Sequence, residues 1–199
     1  MKKRKMNKFQ KAVLDRVGIK KVSKIRRGLA VGVDWYLSSM FASIPILYIY
    51  SVVSGKAETP TSLALMKPGV GIVAGMMGIM IVSLYYIVIP LKKNKGQTLG
   101  KRLLGIKVVQ DDGSDVNAKV LLKREILGVA LIEGGIVASS KYFREILLVI
   151  GLSKVYEILV VLAMIIPFVS IVIMLFSKNS KMIHDFIGRT KVVEIAEGK

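Results

Sequence analysis

Arg27 and Asp34 stand seven residues apart at the entrance to a long apolar run. Seven residues are nearly two helical turns, so both side chains lie on one helix face, separated by roughly 10 Å of rise. Asp34 falls inside a segment otherwise fit for lipid, where a lone charge is costly unless it is paired or hydrated. Two more acids raise the same question. Glu133 lies beside Gly134 and Gly135 within another apolar stretch, and Asp185 follows the chain's one histidine, His184. A carboxylate so placed either exchanges a proton or a cation, or locks two elements together through a buried ion pair.

Other chemistry is closed off early. The 199-residue chain has no cysteine, which removes disulfides and thiolate metal sites, and one histidine cannot form a His-rich metal site. His184-Asp185 is not read as a catalytic dyad, because adjacent residues do not generally face each other. A serine hydrolase would have His184 as its only histidine base, and no GxSxG elbow is present. The expectation is a non-enzymatic protein without cofactor or metal.

The elements that must position these residues are membrane helices. Hydrophobic residues make up 53% of the chain and its mean hydropathy is +0.55. Residues 35–55, 68–91 and 158–177 carry no charge, and each block is about the ~20 residues a helix needs to cross a bilayer. The reading is an all-α membrane protein with four transmembrane helices, at about 29–53, 69–91, 118–140 and 154–177. The third is interrupted by Glu133 and the two glycines. Pro45 and Pro167 lie inside spans, and Pro90 is expected to end the second. Gly71, Gly75 and Gly78 give that span a small-residue face for close helix packing, within the bundle or between copies in a homo-oligomer.

Residues 1–26 form a leader with its own character. The first 27 residues hold twelve Lys/Arg and one acid, Asp15. Apolar residues at three- and four-residue spacing predict a basic amphipathic helix on the anionic inner leaflet; the alternative is a disordered polybasic tail. Nothing here supplies the stacking aromatics of a nucleic-acid arm.

Residues 92–117 are a polar insert. GQTLGKR invites comparison with a phosphate-binding loop, but Lys95 stands where that loop needs glycine and Arg102 where it needs Ser or Thr. Asp112-Gly113 is a turn signal. Ile106 to Val109 reads as a strand, echoed by Thr190 to Val193, and the two are expected to pair with the 110–116 hairpin in a small cytoplasmic sheet. Residues 141–153 are read as a loop with an apolar patch, and 195–199 as a tail.

Charge sets the orientation. With both termini inside, the twelve Lys/Arg of residues 1–27, nine in 92–124 and five in the tail face the cytoplasm, leaving five in the two outer loops. That bias favours an even number of spans and cytoplasmic termini, in a multi-pass protein of the cell membrane.

Three blocks carry a resemblance. They are Arg27-x-x-Ala30-x-x-x-Asp34; Gly96-x-Thr98-x-Gly100-Lys101-Arg102 followed by Gly105-Ile106-Lys107-Val108-Val109; and His184-Asp185-x-x-x-x-Thr190-x-Val192-Val193. In this order they resemble the RDD family of small membrane proteins, named for one Arg and two Asp, here matched by Arg27, Asp34 and Asp185. The resemblance covers roughly residues 23–194, with 27–194 read as the transmembrane domain. The resemblance implies a membrane protein for which transport, including cation/proton exchange, has been suggested; Glu133 is not carried over from it.

Two function classes stand at this point. One is a transporter of a small ion or solute, with Asp34 and Asp185 sharing Arg27 and Glu133 as a second carboxylate. The other is a scaffold or accessory subunit that binds anionic lipid or a partner protein.

Overall fold

The computed structural model describes residues 20–195 except 94, 136 and 178. The leader expected as an amphipathic helix lies almost wholly outside those residues, as do 196–199. In chain order the elements are β1 (Lys20–Lys21), α1 (Lys24–Ser54), a 3-10 turn (Leu63–Leu65) and α2 (Pro68–Ser83). α2 runs on in π form through Leu84–Lys93. Then come α3 (Leu99–Leu103), β2 (Ile106–Gln110), and α4 (Ala118–Leu122), which also runs on in π form, through Lys123–Glu133. α5 (Ala138–Val149), α6 (Ser153–Phe176), α7 (Ile183–Gly188) and β3 (Thr190–Glu194) complete the described chain.

Three helices are long and apolar enough to cross a membrane: Lys24–Ser54, Pro68–Lys92 and Ser153–Phe176. Their surfaces are turned outward as a lipid environment requires. In α1, Arg27, Ala30, Asp34, Ser38, Ala42 and Ile46 are buried at three- and four-residue spacing. Ile44, Tyr48 and Val52 are exposed. A helix with one polar inward stripe and apolar residues elsewhere belongs in a bundle surrounded by hydrocarbon.

The stretch expected as a single span at 118–140 is not one helix. Its π segment stops at Glu133, with Gly134 left-handed at φ 51°, and a new helix starts at Ala138. The segment 141–149, expected as loop, belongs to that helix. Side chains satisfy the backbone freed by the break: Ser140 Oγ donates to the Ala130 carbonyl and Arg144 Nη1 to the Gly134 carbonyl. Backbone groups freed at a break and shielded from water need such internal partners. The facing helix makes room. Pro167 has no N–H, so the Ala163 carbonyl of α6 loses its ordinary helical donor, and the Gly135 backbone sits against that carbonyl and the proline ring. A side chain at position 135 has no space there.

Pro90 does not end the second span. The helix passes through it in π form to Lys93, and the Pro90 carbonyl accepts from Gly96 N at 2.8 Å.

The small-residue face of α2 is filled from within the chain. A Cβ at Gly71 would meet the Leu63 carbonyl at 2.7 Å, one at Gly75 the Leu63 and Ile146 side chains, and one at Gly78 the Tyr142 ring. These glycines let α5 and the 3-10 turn approach α2 closely.

The strands expected to pair do so. β2 and β3 are antiparallel with Val108 opposite Val192 and Ile106 opposite Glu194, and β1 lies on the other edge of β3. Asp115 bridges back to Val109 across the Asp112-Gly113 turn. The inner face, with Val22, Ile106, Val108 and Val192, packs on Ala30 of α1. The sheet thereby places both polar motifs against the first membrane helix.

Candidate functional site

Asp34 is fully buried in α1 and accepts from four donors. Oδ1 takes the Tyr85 hydroxyl at 2.6 Å and Gly100 N at 2.8 Å; Oδ2 takes Thr98 Oγ1 and Lys101 Nζ, the latter at 2.9 Å. Three of these donors come from the GQTLGKR stretch, which is a cradle for a carboxylate rather than for a phosphate. Gly96 turns the chain at φ 80°, a left-handed conformation natural to glycine, with the Val108 carbonyl where a Cβ would go. Thr98 then caps α3. At Gly100 a Cβ would stand 2.7 Å from both Asp34 Oδ1 and the Ala30 carbonyl, so only glycine lets α3 lie on α1. Lys101 also lies 5.8 Å from the Tyr86 ring centroid, a cation–π contact.

Asp185 forms a separate node. Oδ2 pairs with Arg27 Nη2 and accepts Met182 N at 3.0 Å; Oδ1 takes Arg124 Nε and Nη2, each at 3.3 Å, and Thr190 Oγ1 at 3.3 Å. Arg27 Nη1 reaches the Ser180 carbonyl at 2.6 Å, presented by a left-handed Ser180 at φ 50°. Arg124 also pairs with Glu125. Burial by itself raises the Asp185 carboxyl. His184, Arg27 and Arg124 outweigh that and hold it well below the ordinary carboxylate range.

Arg27 therefore does not bridge the two namesake aspartates. Each has its own cation, Lys101 for Asp34, and Arg27 with Arg124 for Asp185. One cation between two buried carboxylates would leave a net negative charge away from water, and separate pairing avoids that.

Glu133 completes a third contact. Oε1 accepts Ser170 Oγ at 2.7 Å and His184 N at 2.8 Å, and Oε2 lies 2.8 Å from His184 Nδ1. The break in the third apolar stretch thus meets α6 and α7 at one carboxylate. Ser170 Oγ accepts Ile183 N at 3.0 Å, and Gly128 lies against His184, where a Cβ would stand 2.7 Å from the His184 Cβ. A cavity of about 70 Å³ is bordered by Arg27, Asp34, Lys101, Arg124, Glu133 and His184. Asp34 and Glu133 therefore line one cavity.

Of the residues read from the sequence, Arg27, Thr190, His184 and Asp185 gather at one node, and Thr98, Gly100 and Lys101 at Asp34. Gly96 shapes the loop, and Gly71, Gly75 and Gly78 pack helices away from the charges. Arg124, Glu125, Tyr85 and Ser170 went unread. Arg124 and Glu133 are nine residues apart, which α-helical winding puts on opposite faces. The wider π winding brings both, with Gly128, onto the face that meets α7. Among the described residues no group of three or more His, Cys, Asp and Glu is placed to hold a metal.

Apolar membrane-length helices joined by a small polar sheet, with buried ion pairs where they meet, define a small multi-pass membrane protein. The chain belongs to the RDD family, whose model matches residues 22–189. No curated protein and no solved structure matches it.

Proposed function

We propose that this protein transports a small ion or solute across the cell membrane, without enzymatic chemistry, and that Glu133 rather than Asp34 is the carboxylate that works. The observation carrying this reading is Glu133 at the end of a broken helix, on the wall of the cavity it shares with Asp34. Broken helices with ionisable residues at the break are how many transporters build substrate and ion sites.

The reading takes the third crossing as composite, α4 with its π extension followed by α5, giving four crossings with both termini in the cytoplasm. Two contacts support it. α5 packs along α2, and Glu145 near its end accepts Leu63 N at 2.9 Å, in the loop remote from the polar sheet. The Lys/Arg distribution favours the same orientation. In this scheme Asp34 and Asp185 are locks. Asp34 has four donors and fixes the polar insert to α1; Asp185 fixes the C-terminal motif to α1 and the π segment.

The test is flux. Purified protein in liposomes is expected to move protons or a monovalent cation down an imposed gradient, and Glu133→Gln to stop this without unfolding the protein. Absence of flux above empty liposomes for every cation tried contradicts the reading.

The scaffold reading draws on the basic leader. Deleting residues 1–24 is then expected to release anionic lipid or a partner, and unchanged co-purification counts against it. A homo-oligomer through the Gly-rich span is less well supported, since the glycines are occupied by α5 and Leu63 of the same chain.

A further inference from the structure

The buried polar cluster has an uneven charge count. Four carboxylates (Asp34, Glu125, Glu133 and Asp185) face three formal cations (Arg27, Lys101 and Arg124), and all seven side chains are buried. With a neutral His184 the cluster carries one net negative charge; with a protonated His184 it carries none. An uncompensated buried charge is costly, so the cluster has a use for one further proton.

The geometry specifies where that proton goes. Glu133 Oε1 already accepts two donors, Ser170 Oγ and His184 N, as an ionised carboxylate does. Oε2 then takes a hydrogen from His184 Nδ1, which fixes the tautomer and leaves Nε2 as the nitrogen free to gain or lose a proton. Nε2 lies 3.5 Å from Arg27 Nη2 and 3.5 Å from Asp185 Oδ1. A bare Nε2 is an acceptor for Arg27, and a protonated Nε2 is a donor to Asp185. The other charged groups that line the same cavity as His184 are Arg124 and Glu125 of the π segment, Asp34 of α1 and Lys101 of α3; α6 contributes Ser170, which does not titrate.

We propose that His184, held by Glu133, is a proton-binding site, and that protonation at Nε2 exchanges the partner of the ring from Arg27 to Asp185. The step is a plain association: a proton from water joins the Nε2 lone pair, and one Arg27 N–H loses that acceptor. Arg27 is then less firmly tied to α7, and α7 is the element that meets the break at Glu133. The proposal deepens the transport reading and rests on it for its meaning as a coupling step. Glu133 and His184 supply proton binding on their own.

The single histidine makes the test direct. Full-length protein with ¹⁵N-labelled histidine in lipid nanodiscs gives one imidazole, with no assignment needed. Expected is an Nδ1 that stays protonated throughout, while Nε2 gains a proton as the pH is lowered. In Glu133→Gln the midpoint is expected to fall by about one to three pH units, because the neighbouring negative charge is gone. An Nδ1 without hydrogen in the neutral ring, an Nε2 that never titrates, or a midpoint unmoved in a folded Glu133→Gln overturns the proposal. If that variant does not fold, the tautomer and titration of the wild-type protein decide alone. Titration without flux in liposomes upholds the proton site while the transport reading falls. Flux with a silent histidine does the reverse.

Discussion

His184 Nδ1 lies 2.8 Å from Glu133 Oε2, and this contact ties the C-terminal motif to the break in the third apolar stretch. Asp185, the next residue, binds Arg27 and Arg124. Two adjacent side chains on a six-residue helix thereby hold α1, the π segment and, through Ser170, α6.

Asp34→Asn is expected to destabilise the protein by about 3–5 kcal/mol, because it leaves Lys101 buried without a charged partner. Lys101→Met in the same chain is expected to recover a large part of the loss. Chemical unfolding in detergent micelles, run as a double-mutant cycle, measures the coupling. Additive effects of the two substitutions count against the ion pair as a lock.

Gly100→Ala is expected to cost about 1–3 kcal/mol, since its Cβ would collide with Asp34 Oδ1 and the Ala30 carbonyl. Gly28→Ala, on α1 with nothing within 4 Å, is expected to be neutral or to stabilise by about 0.5–1 kcal/mol. Melting curves of the two variants, read against wild type, separate a close-packed position from an open one. Equal behaviour removes the packing argument.

Much of this arrangement was legible in the sequence, for physical reasons that can be named. Charge-free blocks of membrane length marked three spans. The matching Ile-Lys-Val-Val at 106–109 and Thr-Lys-Val-Val at 190–193 marked the paired strands, and the three motif blocks marked both aspartate nodes. The partnering was not legible. The loop charges place Asp34 and Asp185 on the same side as Arg27, and only the folded insert brings Lys101 to Asp34. Arg124 was hidden because its relation to Glu133 depends on π winding, which the residue pattern does not announce. The break after Glu133 was visible as two glycines, but α5 beyond it resembled a loop with an apolar patch.

Acid is expected to loosen the Asp185 node. The folded carboxyl titrates below its unfolded value of ~3.9. Its contribution is therefore complete above that value and is lost as the pH falls toward the folded value. Stability measured from about pH 6 down to pH 2 should decline for wild type, with the steepest part below about pH 4. Asp185→Asn should be less stable near neutrality and show a shallower decline. An unchanged slope in that variant means that other carboxylates carry the acid sensitivity.

Ser170→Ala removes the donor to Glu133 Oε1 and the acceptor of Ile183 N. A loss of about 1–3 kcal/mol is expected, the cost of a buried amide left unsatisfied. The effect should be greatest on hydrogen exchange within α7. Unaltered protection of the α7 amides contradicts the account of how α6 holds that helix.

The central claim is that Glu133, at the helix break, is the working carboxylate of a transporter, and proteoliposome flux tests it most directly. Protein is reconstituted with a pH-sensitive dye inside, and a gradient of a monovalent cation is imposed. The account predicts proton movement above empty liposomes for wild type and none for a folded Glu133→Gln. Wild-type rates retained by that variant, or no movement from wild type with any cation, would contradict it.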